Sequence, residues 1–317
     1  MGRKGVRFTR RDLVGYVFVT PALLAVLIFF FYSSAQVLID SFYKMRGFKI
    51  LGFFGVNNYL SVLTDSLFWN ATFNTLYMGV LSLVVGLPFS LVIATLIKES
   101  KWGKNFFKAY FFIPNLTSLV AAALLFSFIL YPTSGGLLNS VLKVFGIKPL
   151  LWFSSPTEAP LGIVMLTVWR DAGYNAIIWL VGLLAIPAEL YEAAEIDGAS
   201  KFRQWVSITI PQLRPIFIFL FMTGTIFQIG RFSDVFVVGG IYGSPASSLD
   251  TLTLYIYRQF EGEGLGDFGI ASAASVLMFV LIMLLTLLNM FVFSTREGRY
   301  DRRQKRLAGT VSWQKQA

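Results

Sequence analysis

The sequence predicts an all-α membrane protein with six transmembrane helices and both termini on the cytoplasmic side. Three observations predict it. The 317 residues are 56% hydrophobic and only 14% charged, whereas soluble domains carry about a quarter charged residues. Six stretches are uncharged or nearly so over a length that crosses a bilayer, which takes roughly 20 apolar residues. The 27 Lys and Arg are shared unevenly between the loops on the two sides.

The stretches lie near 13–39, 71–97, 109–131, 160–186, 215–241 and 270–293. The first is uncharged from Leu13 to Ile39 and follows a basic arm, residues 1–12, holding Arg3, Lys4, Arg7, Arg10 and Arg11. A basic arm before an apolar run also describes a secretory leader, but this run is far longer than a leader's apolar core, so an uncleaved span is expected. Pro21, Pro88 and Pro114 fall in the first three spans; membrane helices tolerate proline where neighbours satisfy the freed carbonyls. The fourth and fifth spans carry ionisable residues. The sixth is uncharged from Phe268 to Thr295 and leads into a basic tail, residues 294–317, read as an anchor to anionic lipid or a disordered extension.

Cytoplasmic loops carry an excess of Lys and Arg. Nineteen of the 27 lie in the arm, the loop with Lys98, Lys101, Lys104 and Lys108, the segment 187–214 and the tail, and only six in the other three loops. An even number of spans requires both ends on one side, and the charges agree.

Composition also excludes chemistry. With no cysteine and no histidine, disulfide frameworks, thiolate or imidazole metal sites and histidine-based triads are ruled out, so neither a metal site nor a catalytic residue is nominated. The net charge of +10 flanks apolar spans instead of forming a basic stripe, which points to a membrane surface and not to nucleic acid. No glycine-rich phosphate-binding loop is present, so nucleotide binding by this chain is not expected. The abundance of Phe, Tyr and Trp (32, 13 and 7) fits lipid contact and interfacial belts.

The most informative stretch is Glu192 to Pro211, in the cytoplasmic loop 187–214. It starts acidic and alanine-rich, holds Gly198, and continues through Trp205, Val206, Ile208 and Ile210 to Pro211. This predicts a short polar helix, a bend and a second short helix that Pro211 ends. Ala193 and Ala194 keep one face slim. Glu192, Glu195 and Asp197 are placed near the helix start, where the dipole favours negative charge. Gly198 allows a bend or a close approach.

Ionisable groups inside spans are costly and usually face an interior or an aqueous cavity. Span four has Arg170 and Asp171, followed by Tyr174 and Asn175; span five has Gln228, Arg231 and Asp234. At about 1.5 Å per residue, Arg170 is near mid-membrane and Arg231 in the outer third. Gln228, Arg231 and Asp234 recur every third position and share a helix face. Two readings stand side by side. In one, Arg231 pairs with Asp234 or Asp171 and fixes helix packing. In the other, all seven residues line a solute pathway and hydrogen-bond sugar hydroxyls or an anionic group.

The 192–211 stretch resembles the EAA motif of ABC importer permease subunits, specifically the carbohydrate-type group that includes the maltose and glycerol-phosphate transporters. The matching positions are Glu192-Ala193-Ala194, Asp197-Gly198-Ala199 and Ile208-Thr209-Ile210-Pro211, with Ile210 where the family usually has leucine. Phe68-Trp69 with Asn74-Thr75, Gly136-Leu137-Leu138-Asn139 with Gly146-Ile147 and Trp152, and Leu254 to Tyr257 with Phe268-Gly269 extend the likeness over about 13–293. The segment 239–245 departs from the family's tighter glycine-rich turn.

The resemblance implies a type I ABC importer transmembrane domain over 13–293, in a bacterial or archaeal cytoplasmic membrane. It implies that Glu192, Ala193, Ala194, Asp197, Gly198, Ile208 and Pro211 form the coupling helix region seated on an ATPase. Implied partners are a second related permease, two ATPase subunits carrying ATP and Mg, an extracytoplasmic solute-binding protein and the bilayer. The chain itself holds no cofactor. The implied solute is a sugar, an oligosaccharide or a polyol phosphate, with Arg170 and Arg231 leaving an anionic sugar open. Rival readings are a self-sufficient channel or secondary carrier, an intramembrane enzyme using Asp171 and Asp234, and, for the loop alone, an ordinary interfacial helix.

Overall fold

The computed structural model describes the backbone of residues 10–261 and 266–314, and the side chains of 14–261 and 266–293. Most of the expected arm and tail therefore lies outside the described side chains. In chain order, helix α1 (Arg10–Ala25) runs through a π-helical stretch (Val26–Tyr32) into α2 (Ser33–Asp40). A hairpin of β1 (Tyr43–Arg46) and β2 (Lys49–Phe53) and helix α3 (Asn57–Thr64) follow. Then come α4 (Ser66–Glu99), α5 (Lys104–Leu116), α6 (Leu119–Ile129), α7 (Leu137–Val144) and α8 (Ala159–Leu184). The loop 187–214 holds α9 (Glu189–Ile196), α10 (Lys201–Gln204), a π-helical turn (Trp205–Thr209) and α11 (Ile210–Gln212). The chain continues through α12 (Arg214–Ile229), α13 (Ser233–Gly239), α14 (Leu252–Glu261) and α15 (Phe268–Gln314).

Among the described residues, three helices, Val14–Asp40, Ser66–Glu99 and Phe268–Phe293, are long and apolar enough to cross a membrane. Three bent pairs raise the number to six if each pair is one span.

Two compact units divide the chain: Met1–Asp65 with Gln259–Leu277, and Ser66–Arg258 with Met278–Ala317. In the first, antiparallel β1 and β2 set Tyr43 opposite Phe53. Buried Asn58 donates through Nδ2 to the carbonyls of Ser41 and Tyr43 at 2.8 and 2.9 Å, fastening α3 to the start of the hairpin. None of the most apolar stretch of α1–α2 is buried within this chain.

The second unit is built on α4 against α8, with α5 and α12 packed beside them. Its largest cluster joins Leu83, Leu87, Ile93 and Ile97 of α4 to Ala172, Ala176, Trp179 and Leu183 of α8 and Leu220 of α12. In lipid the hydrophobic effect does not drive helices together, so close packing and small residues do. Gly173 is the tightest instance: a Cβ there would be 1.9 Å from the Phe111 carbonyl oxygen, so α8 meets the backbone of α5 directly.

The motif residues Asn74, Thr75, Asn139 and Trp152 are internal anchors. Asn139 is fully buried; its Nδ2 reaches the carbonyls of Tyr131, Thr133 and Leu150, and its Oδ1 accepts from the Leu150 amide and the Trp152 indole. Asn74 Nδ2 donates to the carbonyls of Ser247 (2.8 Å) and Asp250 (3.1 Å), and Thr75 Oγ1 accepts from the Leu252 amide. The divergent segment 239–245 still turns sharply, with Gly240 and Gly243 at positive φ.

Two expected elements differ. The third span is two helices, α5 and α6, meeting at 97°, because Pro114 cannot donate a backbone bond and Thr117 and Ser118 are extended (ψ 136° and 135°). The fifth span's helix stops at Ile229, well before 241, and restarts at Ser233 with Asp234 in its first turn. Pro211 is not the last residue of its helix but lies in the final turn of the continuous helical stretch Lys201–Gln212, and the 59° bend to α12 falls two residues later.

Candidate functional site

Two regions answer to the sequence expectations. The first is a cavity of about 530 Å³ within the second unit, lined from α4, α5, α6, α8, α12 and α13. It collects all seven polar residues expected there: Arg170, Asp171, Tyr174, Asn175, Gln228, Arg231 and Asp234. The first four come from the middle of α8. The last three converge because the chain leaves the helix between Ile229 and Ser233; they do not lie on one continuous helix face.

Arg231 sits in that break and is buried. Its Nη1 is 2.8 Å from Asp234 Oδ2, with both side chains at most 5% exposed. Its Nη2 donates to Gln228 Oε1 and, at 3.4 Å, to Ser82 Oγ of α4. Asp234 Oδ1 accepts the Val235 amide at 3.0 Å. The carbonyl of Arg231 in turn accepts from the hydroxyls of Thr251 and Thr253. A charge taken out of water persists only when paired and hydrogen-bonded; Arg231 is paired through Nη1 and bonded through Nη2, while its buried Nε has no hydrogen-bond partner among the described residues.

Arg170 and Asp171 form a looser pair, Nε to Oδ1 at 3.4 Å and about a third exposed. The contact has ion-pair distance but not hydrogen-bond geometry, so Arg170 Nε has no hydrogen-bond partner. The two carboxylates are thus each engaged with an arginine. The remaining polar lining is neutral: Tyr174, Asn175 and Gln228 join Ser82, Asn115 and Thr223. The last three were not singled out from sequence, and their only signal is a lone polar residue inside an apolar run.

The second region is the loop 187–214. Helix α9 leaves α8 at 67° and carries Glu192, Ala193 and Ala194. Glu189 and Glu192 are in its first turn, but Glu195 is in the last turn and Asp197 caps the end, not near the start as expected, because the helix begins three residues before the motif. Gly198 follows with φ 75°. That left-handed conformation favours glycine. A Cβ at Gly198 would meet nothing within 4 Å, so the residue serves the turn and not a close approach inside this chain. Ser200 Oγ then accepts from the Arg203 amide as the α10 N-cap, and Gln204 Nε2 closes back on the Ala199 carbonyl at 3.1 Å. Ile208 is half-buried and Pro211 exposed. The outer face is apolar at its tips: Ile196 is 87% and Phe202 76% exposed.

Residues 86–296 match the family described as "Binding-protein-dependent transport system inner membrane component". The chain belongs to that family, a class of membrane permeases. It is 33% identical over 92% of its length to the trehalose/maltose transport system permease protein MalF of Thermococcus litoralis, covering 96% of that protein. It is 31% identical over 90% of its length to the lactose transport system permease protein LacF of Rhizobium radiobacter, again covering 96%. Its fold is similar to a chain of a bacterial ABC transporter involved in import of the acidic polysaccharide alginate (TM-score 0.75, 24% identity, 90% of this chain and 96% of that one).

Proposed function

We propose that this chain is one permease subunit of an ATP-driven, binding-protein-dependent importer for a carbohydrate. The supporting observation is the loop 187–214, which presents an EAA-type helix with bare apolar tips on a chain whose relatives are named as sugar permeases. Burying one large apolar side chain is worth about 1.5–3 kcal/mol, so Ile196 and Phe202 are strong candidates for the ATPase contact. In this reading the bilayer holds six spans with both termini cytoplasmic. A second related permease completes the pathway, two ATPase subunits with ATP and Mg dock beneath, and a solute-binding protein delivers cargo outside. ATPase closure moves the loop and switches the cavity between its two openings.

The cavity lining supports a neutral solute. Its two arginines and two aspartates cancel, and Arg231 is committed to Asp234, Gln228 and Ser82. Hydroxyl and amide groups are left for a polyhydroxylated cargo. Neutral oligosaccharides are expected to compete for uptake and uronates or sugar phosphates are not; the reverse order would overturn this part.

The deciding experiment is mass spectrometry of what co-purifies with the tagged chain from gently solubilised membranes. An ATPase and a related permease at near-stoichiometric amounts support the importer. The chain alone favours a self-sufficient carrier or channel. Gly198→Asp places a charge on the turn facing the ATPase and is expected to abolish ATP-driven uptake; normal uptake in that variant would sink the coupling role of the loop.

A further inference from the structure

Beyond its own fold, the cytoplasmic loop is strapped to the transmembrane helices at a point that no motif marks. Lys98, in the last turn of α4, sends its Nζ 3.0 Å from the Leu183 carbonyl, one of the last four of α8. The Ala185 amide reaches back to the carbonyls of Val181 and Gly182, the Leu183 carbonyl takes the ammonium instead, and a cation there is favoured by the helix dipole. The same ammonium lies 5.3 Å from the ring centroid of Tyr191 in α9, within cation–π range. The Tyr191 hydroxyl is 2.8 Å from Thr209 Oγ1 on the π-helical turn, and Thr209 is buried. One line of contacts therefore joins α4, α8, α9 and the approach to α12. Three of those helices, α4, α8 and α12, also wall the cavity.

From this geometry we infer that Lys98 and Tyr191 are positioning residues that carry displacement of α9 to the cavity helices. This rests on the coupling role proposed for the loop. The link from α8 to α9 is a bend at 185–188, which by itself could absorb motion of α9 as a change of angle. The Lys98 ammonium spans that bend, holding the end of α8 and the start of α9 to α4 together. Without it, α9 could follow its partner while the cavity walls lagged.

The test uses the absence of native cysteines. The full chain is purified with its ATPase and nitroxide-labelled at Glu195→Cys on α9 or at Thr223→Cys in the cavity. Spectra are taken without nucleotide and after trapping with ATP and vanadate. In the otherwise native chain both labels respond. In Lys98→Met the Glu195 label keeps its response and the Thr223 response falls by at least half, while Lys98→Arg restores it. Tyr191→Phe keeps the ring but loses the Thr209 contact, giving a smaller loss in the same direction. If Lys98→Met does not assemble with the ATPase, Tyr191→Phe decides. A full Thr223 response in both variants overturns the inference, as does loss of both responses together, which would assign Lys98 to local folding. No response from either label in the native background means that the coupling role itself has failed, and the inference with it.

Discussion

In the loop 187–214 the polarity is inside out: Ile196 and Phe202 stand in the open while Gln204 and Thr209 are buried. Around Arg231 the charges are drawn in, and Asp234, Gln228 and Ser82 engage both Nη atoms within the chain, leaving only the buried Nε without a partner. The first pattern leaves apolar surface that only another protein or lipid can cover. The second is largely paired within the chain and leaves the Nε atoms of Arg170 and Arg231 as its open donors. A region that advertises a partner and a region that is mostly paired internally should respond differently to substitution.

The largest effect is expected at the buried pair. Removing one member, as in Asp234→Ala, strands Arg231 and should cost about 3–5 kcal/mol, read as a fall in the unfolding midpoint of the detergent-solubilised complex. The double variant Arg231→Met/Asp234→Leu should recover most of that stability, since apolar replacements of buried pairs are often neutral. Recovered stability without recovered uptake would show that the pair also serves the pathway. Gly173→Ala ranks next. The methyl would meet the Phe111 carbonyl at 1.9 Å, and overpacking of this kind costs about 1–3 kcal/mol in the same assay.

In the loop the scale drops. Gly198→Ala meets no steric obstacle but must hold a left-handed residue, at a cost of about 1 kcal/mol, seen as reduced protection of 197–200 amides in hydrogen exchange. ATPase capture should survive, in contrast to Gly198→Asp. The smallest effect is at Lys201 and Glu195, which are 3.9 Å apart and at least 69% exposed. Lys201→Ala should change the unfolding midpoint by the equivalent of less than about 0.5 kcal/mol. A large loss of ATPase binding in Lys201→Ala would mean that charge, and not the apolar tips, carries the docking.

The same contrast explains what could be read from the sequence. The loop was legible because its determinants are local: an acidic helix start, a glycine at the turn and a proline at a fixed distance. Pro211 marks the end of the loop's second helix to within one residue, and the bend into α12 follows it directly. The ionisable residues of the cavity were legible as charges in apolar runs, but their arrangement was not. Ser82, Asn115 and Thr223 arrive from helices far away in sequence, and only packing brings them together. The break at Gly230 had a faint signal in Ser233-Asp234, a helix-start pair, which the apolar residues around it obscured. The break after Leu116 had Pro114 and Thr117-Ser118 to announce it.

Direct backbone contact at Gly173 has a mechanical consequence. A joint filled with side chains can yield, because rotamers change and methyl groups slide. Where α8 lies against the carbonyl of Phe111 there is nothing soft to compress. Displacement of the loop-side end of α8 is therefore expected to pass to α5 at that joint and to be taken up first at the right-angled elbow at 117–118.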